Sequence, residues 1–356
     1  MTTEHVVAPA TRFALPSGSD AVAPPERRGI ARDGVRLLVA RGPSSSTSRV
    51  EHRHFHDLPD LVEPGDLVVV NTSATLPAAL DAGLPDGRPT PVHVSTVLDD
   101  GEWVVEVRRQ DGSGPHLGMT AGDRLRLPGG YTVRLGAAYP DPSASSSRLW
   151  RATVSPATDL PRYLARHGRP IGYAYLAGRF PLADHQTVFG THPGSAEMAS
   201  AARPFTTPLV VRLVARGVTV APIVLHAGVS SPELPEPPTP ERFDVPPATA
   251  RLVASARAAG GRVVAVGTTV ARALESAATP DGAVHPASGW TDLVLGPDRP
   301  ARVVTGLVTG LHAPQASHLL LLEAIAGPDL VAAAYGAAVE HRYLWHEFGD
   351  STLFLP

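Results

Sequence analysis

The chain has 356 residues, a net charge of −3 and a hydrophobic content of 43%, a composition typical of globular proteins with a large core and room for a second unit. It contains no cysteine, which excludes disulfides, thiolate metal sites and cysteine nucleophiles. Because the net charge is not positive, the composition counts mildly against a nucleic-acid partner. No signal-like N-terminus and no bilayer-length apolar stretch occur, so we expect a cytoplasmic protein without a membrane partner.

The first part of the chain predicts an arm followed by the start of a core. Residues 1–30 hold four prolines and little periodicity, so we expect a mobile or loosely docked N-terminal arm. Residues 35–40 and 67–70 predict strands, with a loop over 42–48 between them. The second strand runs into Asn71, which suits an Asx turn or a polar contact to a substrate.

Residues 77–154 differ in character from the rest of the chain. Short alternating segments such as VHVSTVL, WVVEVRR and YTVRLG are separated by glycine and aspartate turns, a pattern typical of a small antiparallel sheet or barrel. We therefore predict an inserted β domain over 77–154, with a proline- and serine-rich surface loop at 140–147. The core domain would then comprise residues 31–76 and 155–356.

Beyond this segment, alternating strands and helices predict an α/β core with parallel strands. The stretch 230–247 holds seven prolines and predicts a long connection without regular structure. Helices are expected over 209–216, 247–259, 317–326 and 329–340, and strands over 218–225, 263–266, 303–307 and 352–355.

The segment RVVAVGTTVARALESA predicts a strand, a tight turn and a helix. Gly267 permits a close backbone approach at the strand end, and Thr268 or Thr269 can cap the helix. Ligands bind at the carboxyl edge of parallel strands, so the turn is a candidate site, although an ordinary strand–helix junction is the commoner outcome. Arg272 either pairs with Glu275 on the helix surface or holds a ligand carboxylate.

Two histidines stand at predicted strand ends. His226 closes VTVAPIVLH, and His312 follows RVVTGLVTG. An imidazole there suits acid or base catalysis, and a purely structural role is equally expected for each. No histidine pair has helical ligand spacing, so no metal is predicted. Hydrolase, nucleotide triphosphatase and dehydrogenase functions lose support because their glycine motifs are absent.

Blocks spread from about Arg36 to Leu355 match one known pattern in order. GDLVVVNTSATLPAAL is similar to G-D-L-L-V-x-N-D-T-R-V-x-P-A-R-L, and QTVF, LHAGVSS, VGTTVARALESA, GWTDLVL, LHAPQAS and FGDSTLFL match later blocks. The chain thereby resembles the S-adenosylmethionine:tRNA ribosyltransferase-isomerase family of queuosine biosynthesis. The resemblance implies a barrel-like α/β core with an inserted small antiparallel β-barrel domain.

The resemblance also implies an activity. The family transfers and isomerises the ribosyl group of S-adenosylmethionine onto an aminomethyl-deazaguanine base in tRNA, and releases adenine and methionine without a metal or separate cofactor. The chemistry begins with proton removal beside the sulfonium, which requires a positioned base and a water-poor site. The implied catalytic candidates are His226, His312 and Glu241. The implied nucleoside-binding residues are Gly267, Thr268, Thr269, Arg272, Glu275, Asn71, Gln186, Thr187 and Asp350.

The chain departs from the family pattern mainly at charged positions. The family's T-A-G-L-H-F-T is SAARPFT here, Y-R-F-F-S-Y-G-D is YLWHEFGD, and N-F-H-L-P-K-S-T is GLHAPQAS. At least five motif cations are lost, and cations hold phosphates and carboxylates, so the expectation of tRNA as a partner is weakened. Three functions stay open: the family activity with an altered acceptor, a reaction of S-adenosylmethionine or a related sulfonium nucleoside with a small-molecule acceptor or none (lyase-like), and a noncatalytic nucleoside-binding paralogue.

Overall fold

The computed structural model describes residues 8–42, 49–144, 147–230 and 239–356. The described residues form a mixed α/β fold of seventeen strands and seven α-helices. The strands are β1 (Arg36–Arg41), β2 (Arg49–His54), β3 (Leu67–Asn71), β4 (Ser73–Thr75), β5 (Ala79–Gly83), β6 (Pro89–Val97), β7 (Trp103–Val107), β8 (Arg124–Leu127), β9 (Tyr131–Tyr139), β10 (Leu149–Ser155), β11 (His192–Ser195), β12 (Thr219–Leu225), β13 (Glu241–Val245), β14 (Val263–Val266), β15 (Ala287–Thr291), β16 (Gly306–Gly310) and β17 (Ser351–Leu355). The helices are α1 (Leu58–Leu61), α2 (Leu160–His167), α3 (Thr207–Ala215), α4 (Pro247–Ala258), α5 (Thr268–Ser276), α6 (His318–Ala326) and α7 (Pro328–Glu340).

The core is a nine-stranded mixed sheet in the order β15-β13-β12-β3-β14-β16-β17-β1-β2. Its central strands β12, β3, β14 and β16 run parallel, as valine-rich runs between helices favour. The sheet is open, whereas the sequence predicted a barrel-like core. Antiparallel strands extend the sheet at both edges: β13 and β15 follow β12 at one edge, and β2 follows β1 at the other. The two edge strands, β15 and β2, do not pair with each other.

Alternate residues of β14 pack on opposite faces of this sheet. Val263 and Ala265 join a core cluster with residues of α5, including Leu274. Val264 and Val266 join a second cluster on the other face. Because side chains alternate along a strand, one short apolar run stabilises both layers of helices and holds the end of β14 in a defined position.

A second set of strands forms a closed six-stranded antiparallel barrel in the order β10-β7-β6-β5-β8-β9. Buried and exposed residues alternate along β8, and the interior is filled by apolar side chains such as Val105, Leu125 and Val133, as small barrels require. These strands lie between residues 79 and 155. The division into domains with the boundaries given above stays a prediction.

Most helices and strands expected for the core lie within two residues of their predicted bounds. One exception is the proline-rich stretch, which was predicted to lack regular structure; its residues 231–238 lie outside the described residues, but 241–245 form β13. Pro246 and Pro247 take the N-cap and first position of α4, where no amide hydrogen is needed. Residues 43–48 and 145–146 of two predicted loops also lie outside the described residues.

Another exception is the strand predicted over 303–307, which is displaced to β16. The amides of Val303 and Val304 donate to the carboxylate of Glu275, at 2.8 and 3.0 Å, and so cannot serve a strand ladder there. β-Branched residues favour strands, but a buried side-chain acceptor overrides that preference locally.

The predicted mobile arm is docked over its described part, residues 8–30. The amide of Thr11 donates to Glu323 at 2.7 Å, and the ring of Phe13 stacks on Trp345 with centroids 5.3 Å apart. Apolar residues and a helix carboxylate thus hold a proline-rich segment that has little secondary structure of its own.

Within the described residues, no single helix is long and apolar enough to cross a membrane. The consecutive helices α6 and α7 pass such a test only together, and they are bent by 120° at their junction. Their apolar side chains Leu319, Leu322 and Val331 are buried in the core.

Candidate active site

A cavity of about 520 Å³ opens at the carboxyl edge of the central parallel strands. Its walls include the segments that follow β12, β14 and β16, together with residues from the connection between the barrel and α3. Clefts of this size, at this edge of an α/β sheet, take small-molecule ligands. Six of the twelve predicted site residues line it: Glu241, Gly267, Thr268, Thr269, Arg272 and His312.

The turn between β14 and α5 presents backbone amides to the cavity. Gly267 is the N-cap and has a φ of 97°, a left-handed conformation that favours glycine. No side chain caps the helix, so the expected threonine cap is wrong; Thr268 and Thr269 instead form the first turn. The first amides of a helix lack intrahelical partners, so this end of α5 attracts anionic or hydrogen-bond-accepting ligand atoms.

Arg272 is held at the cavity wall by three acceptors. Its guanidinium forms an ion pair with Glu241 and donates at 3.1 Å to the carbonyls of Thr291 and Leu293. The expected surface pair with Glu275 is therefore wrong, because the buried guanidinium finds its partner on β13. The other oxygen of Glu241 accepts the amide of Gly228 at 2.9 Å. This network fixes the orientation of the guanidinium before any ligand arrives.

Glu275 is buried and does not line the cavity. Its carboxylate accepts the amides of Arg302, Val303 and Val304 at 2.8–3.0 Å, and Arg299 lies 3.4 Å away. These contacts hold the chain before β16, so the structure places Glu275 in a supporting position below the site.

His312 lies on the cavity wall with its ring stacked on His318, centroids 4.5 Å apart. Its Nε2 is 3.0 Å from Thr309 Oγ1, and its amide donates to the Tyr335 hydroxyl at 3.1 Å. Burial, followed by the charges of His318 and His346, lowers the pKa of His312 well below its ordinary value. Burial likewise lowers the pKa of His318 to about 4. Both rings are therefore neutral at pH 7 and can accept a proton.

His226 and Asn71 lie behind the cavity wall rather than on it. His226 Nδ1 is 2.7 Å from Ser73 Oγ, and burial lowers its pKa. Asn71 is fully buried and uses its amide group to join strand ends: Nδ2 donates to the Leu225 carbonyl at 2.8 Å and to Thr269 Oγ1 at 3.3 Å. Both residues brace the segments that carry the cavity.

Of the three remaining predicted binding residues, Gln186 and Asp350 also support backbone. Gln186 brackets Thr75, accepting its amide at 3.0 Å and donating to its carbonyl at 2.7 Å. The Thr187 hydroxyl is buried without a hydrogen-bond partner among the described residues. Asp350 pairs with Arg36 at 2.8 Å and accepts the amide of Leu344 at 2.8 Å. None of the three predicted residues lines the 520 Å³ cavity.

Two glutamates on the cavity wall were missed by the sequence analysis. Glu197 accepts a hydrogen bond from the Tyr173 hydroxyl and two from Ser230, through its amide at 2.8 Å and its hydroxyl at 2.7 Å. Glu347 accepts the Tyr175 hydroxyl at 2.9 Å. Burial raises the pKa of Glu197 and of Glu347 to about 7 in each case. The negative charge of Glu197 adds to the rise at Glu347.

The arginines of the cavity wall are committed to protein acceptors. Arg148 donates to Glu106 at 2.8 Å and to the Val229 carbonyl at 3.2 Å, and Arg272 is held as described above. The sequence contains no lysine. Among the described residues, a group close enough to share a metal ion is His54, His56 and Asp57, which lies outside the cavity lining.

Comparison with known proteins identifies the family of this site. The family model described as queuosine biosynthesis protein matches residues 10–354. The chain belongs to this family. The S-adenosylmethionine:tRNA ribosyltransferase-isomerases of Gloeobacter violaceus and Anaeromyxobacter dehalogenans are 33% and 35% identical to it, over 97% and 96% of this chain and 94% and 97% of theirs. The resemblance stated from the sequence is thereby confirmed.

A solved structure supports the same assignment. The crystal structure of S-adenosylmethionine tRNA ribosyltransferase from Thermotoga maritima is 29% identical, with a TM-score of 0.53, and the match covers 97% of this chain and 99% of that one. The mixed α/β fold is therefore shared with this member of the queuosine biosynthesis family. In the segment YLWHEFGD, His346 and Glu347 stand where the family block Y-R-F-F-S-Y-G-D has phenylalanine and serine.

Proposed function

We propose that this protein binds S-adenosylmethionine in the 520 Å³ cavity and transfers its ribosyl group, with isomerisation, to an aminomethyl-deazaguanine base of tRNA. The observation that carries the proposal is that the turn at Gly267, the side chain of Arg272 and the ring of His312 line one cavity. These residues come from separate blocks of the family pattern, and the relatives of this chain bear the name of this activity.

The α5 end of the cavity suits the methionine carboxylate of the substrate. The open amides of Thr268 and Thr269 and the buried guanidinium of Arg272 offer donors and positive charge at one place. Glu241 holds Arg272 in position without occupying all of its five donors. We therefore assign Gly267, Thr268, Thr269 and Arg272 to binding, with Glu241 as a positioning residue.

His312 is the proposed general base. The first step moves a proton from the carbon beside the sulfonium to a ring nitrogen, and the electron pair stays on that carbon, where the adjacent sulfonium stabilises it. The lowered pKa leaves the ring unprotonated at pH 7, so a nitrogen lone pair is available to accept the proton, and the walls of the cavity would limit the access of competing water. Thr309 next to Nε2 leaves Nδ1 as the accepting nitrogen. His226, which lies behind the wall, positions the segment after β12.

The barrel strands lie between the two parts of the chain that build the core sheet. We propose that residues 77–154 form an inserted domain between core segments 31–76 and 155–356. Arg148 of this segment lines the cavity, so the inserted domain would close one side of the site. No metal is assigned a role in this proposal.

A small-molecule acceptor is a second candidate. It is favoured by the commitment of Arg148 to Glu106 and by the family cations that are lost from this chain, because a polyanionic tRNA is held by free cations. In that case the sulfonium-nucleoside end of the site would be unchanged and the acceptor would lack a phosphate backbone.

One experiment separates these functions. Purified protein is incubated with S-adenosylmethionine alone and with a tRNA that carries the aminomethyl-deazaguanine base, and release of adenine and methionine is followed by mass spectrometry. Release that requires the tRNA is the expected result. Release without tRNA would instead indicate the small-molecule or lyase-like reaction. No release and no calorimetric binding of S-adenosylmethionine would overturn the enzyme proposal.

A further inference from the structure

One buried carboxyl oxygen in the cavity wall has no donor. Glu347 Oε2 accepts the Tyr175 hydroxyl, whereas Oε1 is buried and has no hydrogen-bond partner among the described residues. Leaving such an atom unsatisfied is energetically costly, and native proteins rarely do so without a functional reason. The oxygen is therefore suited to a donor that arrives with a ligand.

Among the residues that the structure describes, no cationic side chain is hydrogen-bonded to this oxygen. Arg203 influences the pKa of Glu347 electrostatically, but its guanidinium donates to Glu26 at 3.0 Å and to the Asp184 carbonyl at 2.9 Å. Glu197 is a second carboxyl group in the same cavity, and its negative charge acts on Glu347. Two carboxyl groups that affect each other electrostatically create a strong preference for a shared positive charge.

The surroundings favour an organic cation over a metal ion. Three aromatic residues line this part of the cavity: the ring of Tyr175 stacks on His346 with centroids 4.2 Å apart and on Tyr173 with centroids 5.9 Å apart. Aromatic rings attract ammonium groups. A hard divalent ion instead needs about six oxygen ligands, and both tyrosine hydroxyls here donate to the carboxyl groups rather than offering free oxygens.

We propose that Glu197 and Glu347 form a subsite for the protonated primary amine of a substrate. The inference rests on the proposed function, which offers two sources of this group: the ammonium of the methionine moiety and the aminomethyl group of the deazaguanine base. Either one places a single positive charge and three N–H donors between two carboxyl groups. Glu347 stands where the family block has serine, so this subsite is a property of this chain.

The test compares ligands that differ only in the amine. The full-length protein is titrated calorimetrically with 7-aminomethyl-7-deazaguanine against its 7-methyl counterpart, with S-adenosylmethionine against its deamino analogue, and with benzylamine against benzyl alcohol. The same titrations are made with Glu347→Gln, with Glu197→Gln, and with Glu102→Gln as the control. Glu102 is a carboxylate of the barrel surface, paired with Arg151 and outside the cavity lining.

The expected result is a preference of the wild-type protein for an amine, which Glu347→Gln reduces about tenfold or more while the amine-free partner and the control variant are unaffected. Loss confined to the deazaguanine pair assigns the subsite to the acceptor, and loss confined to S-adenosylmethionine assigns it to methionine. Either result supports the proposal.

Other results would overturn one proposal without the other. If benzylamine is preferred in a Glu347-dependent manner but S-adenosylmethionine does not bind, the subsite stands and the proposed function fails. If S-adenosylmethionine binds but no amine is preferred, or if the preference persists in both glutamine variants, the subsite is wrong and the proposed function stands. Thermal unfolding of each variant shows whether it is folded.

Discussion

The cavity has two chemically different sides. On the α5 side, defined by Gly267, Thr268, Thr269 and Arg272, the charged side chain is already paired, with Glu241. On the carboxyl side, defined by Glu197 and Glu347 with Tyr173 and Tyr175, the acids have raised pKa values and one oxygen has no donor among the described residues. A side whose charges are neutralised internally is preorganised, whereas a side with an unsatisfied acid is completed by its ligand.

His312 is coupled through neighbouring rings to both sides of the cavity. Burial, and then His318 and His346, lower its pKa; Arg272 acts on His318, and the ring of His346 stacks on Tyr175. These neighbours connect the proposed base to the α5 side, which comes from a family block, and to the carboxyl side, which differs from one. Variants on each side should therefore affect binding, turnover and stability differently.

The largest effect on binding and stability is expected from Arg272→Met, which removes the charged side chain of the α5 side. Glu241 would keep a buried charge without its cation, and breaking such a pair costs about 3–5 kcal/mol of stability. We expect S-adenosylmethionine binding to be lost in calorimetric titrations and the midpoint of denaturant unfolding to fall.

The double variant Arg272→Met/Glu241→Gln separates folding from binding. It removes both charges, so we expect most of the stability to return while binding stays lost. Arg212→Met, at a half-exposed arginine of α3, is the matched control and should change stability by at most about 1 kcal/mol. Undiminished binding in the double variant would contradict the assignment of Arg272.

The second effect concerns the base. His312→Gln removes the proton acceptor, and we expect adenine release to fall by about 10²–10⁴-fold while S-adenosylmethionine still binds. His226→Gln is the comparison, because the His226 ring lies outside the cavity lining and contacts Ser73. This variant should lower the melting temperature and leave turnover close to the wild-type value. Wild-type turnover in His312→Gln would exclude this histidine as the base.

A smaller effect is expected at Glu275, which the sequence interpretation placed among the binding residues. In Glu275→Gln, an NH₂ group replaces one of the oxygens that accept backbone amides, so the free energy of unfolding should fall by about 1–3 kcal/mol. Affinity for S-adenosylmethionine should not change in calorimetric titrations. A loss of affinity at unchanged stability would instead support the direct binding role.

The smallest effect is a pH dependence on the carboxyl side. Folding raises the pKa of Glu197 and Glu347 from 4.5 to about 7, so their contribution to stability is full below pH 4.5 and is lost as pH rises through 7. Tyr173 and Ser230 face Glu197, and Tyr175 and Arg203 influence Glu347. The double variant Glu197→Gln/Glu347→Gln lacks the titrating groups and should escape this loss.

Stability measured by denaturant unfolding at pH 5 and pH 8 checks this sign. As the pH rises from 5 to 8, the free energy of unfolding of the double variant should increase by at least about 1 kcal/mol relative to that of the wild-type protein. Equal pH profiles would show that the two acids are ionised in the folded protein at both values. Glu102→Gln again provides the surface control.

Local sequence determined most of the scaffold and the family. The alternation of valine-rich strands with helices predicted the parallel core strands, and Gly267 between β14 and α5 marked a turn where glycine's φ of 97° is needed. These features follow from periodicity and backbone sterics, which act over a few residues. The ordered blocks were enough to identify the family because they survive in separate parts of the chain.

The tertiary structure decided which of the marked residues share a cavity. Arg272 pairs with Glu241, which is 31 residues away, rather than with Glu275 one helical turn along, because burial requires a charge partner and β13 supplies it. Glu197 and Glu347 lie far apart in the chain and carried no sequence signal, since a glutamate becomes chemically distinctive only when folding removes its water. Short-range geometry can be predicted from the sequence, whereas desolvation and long-range pairing depend on the folded whole.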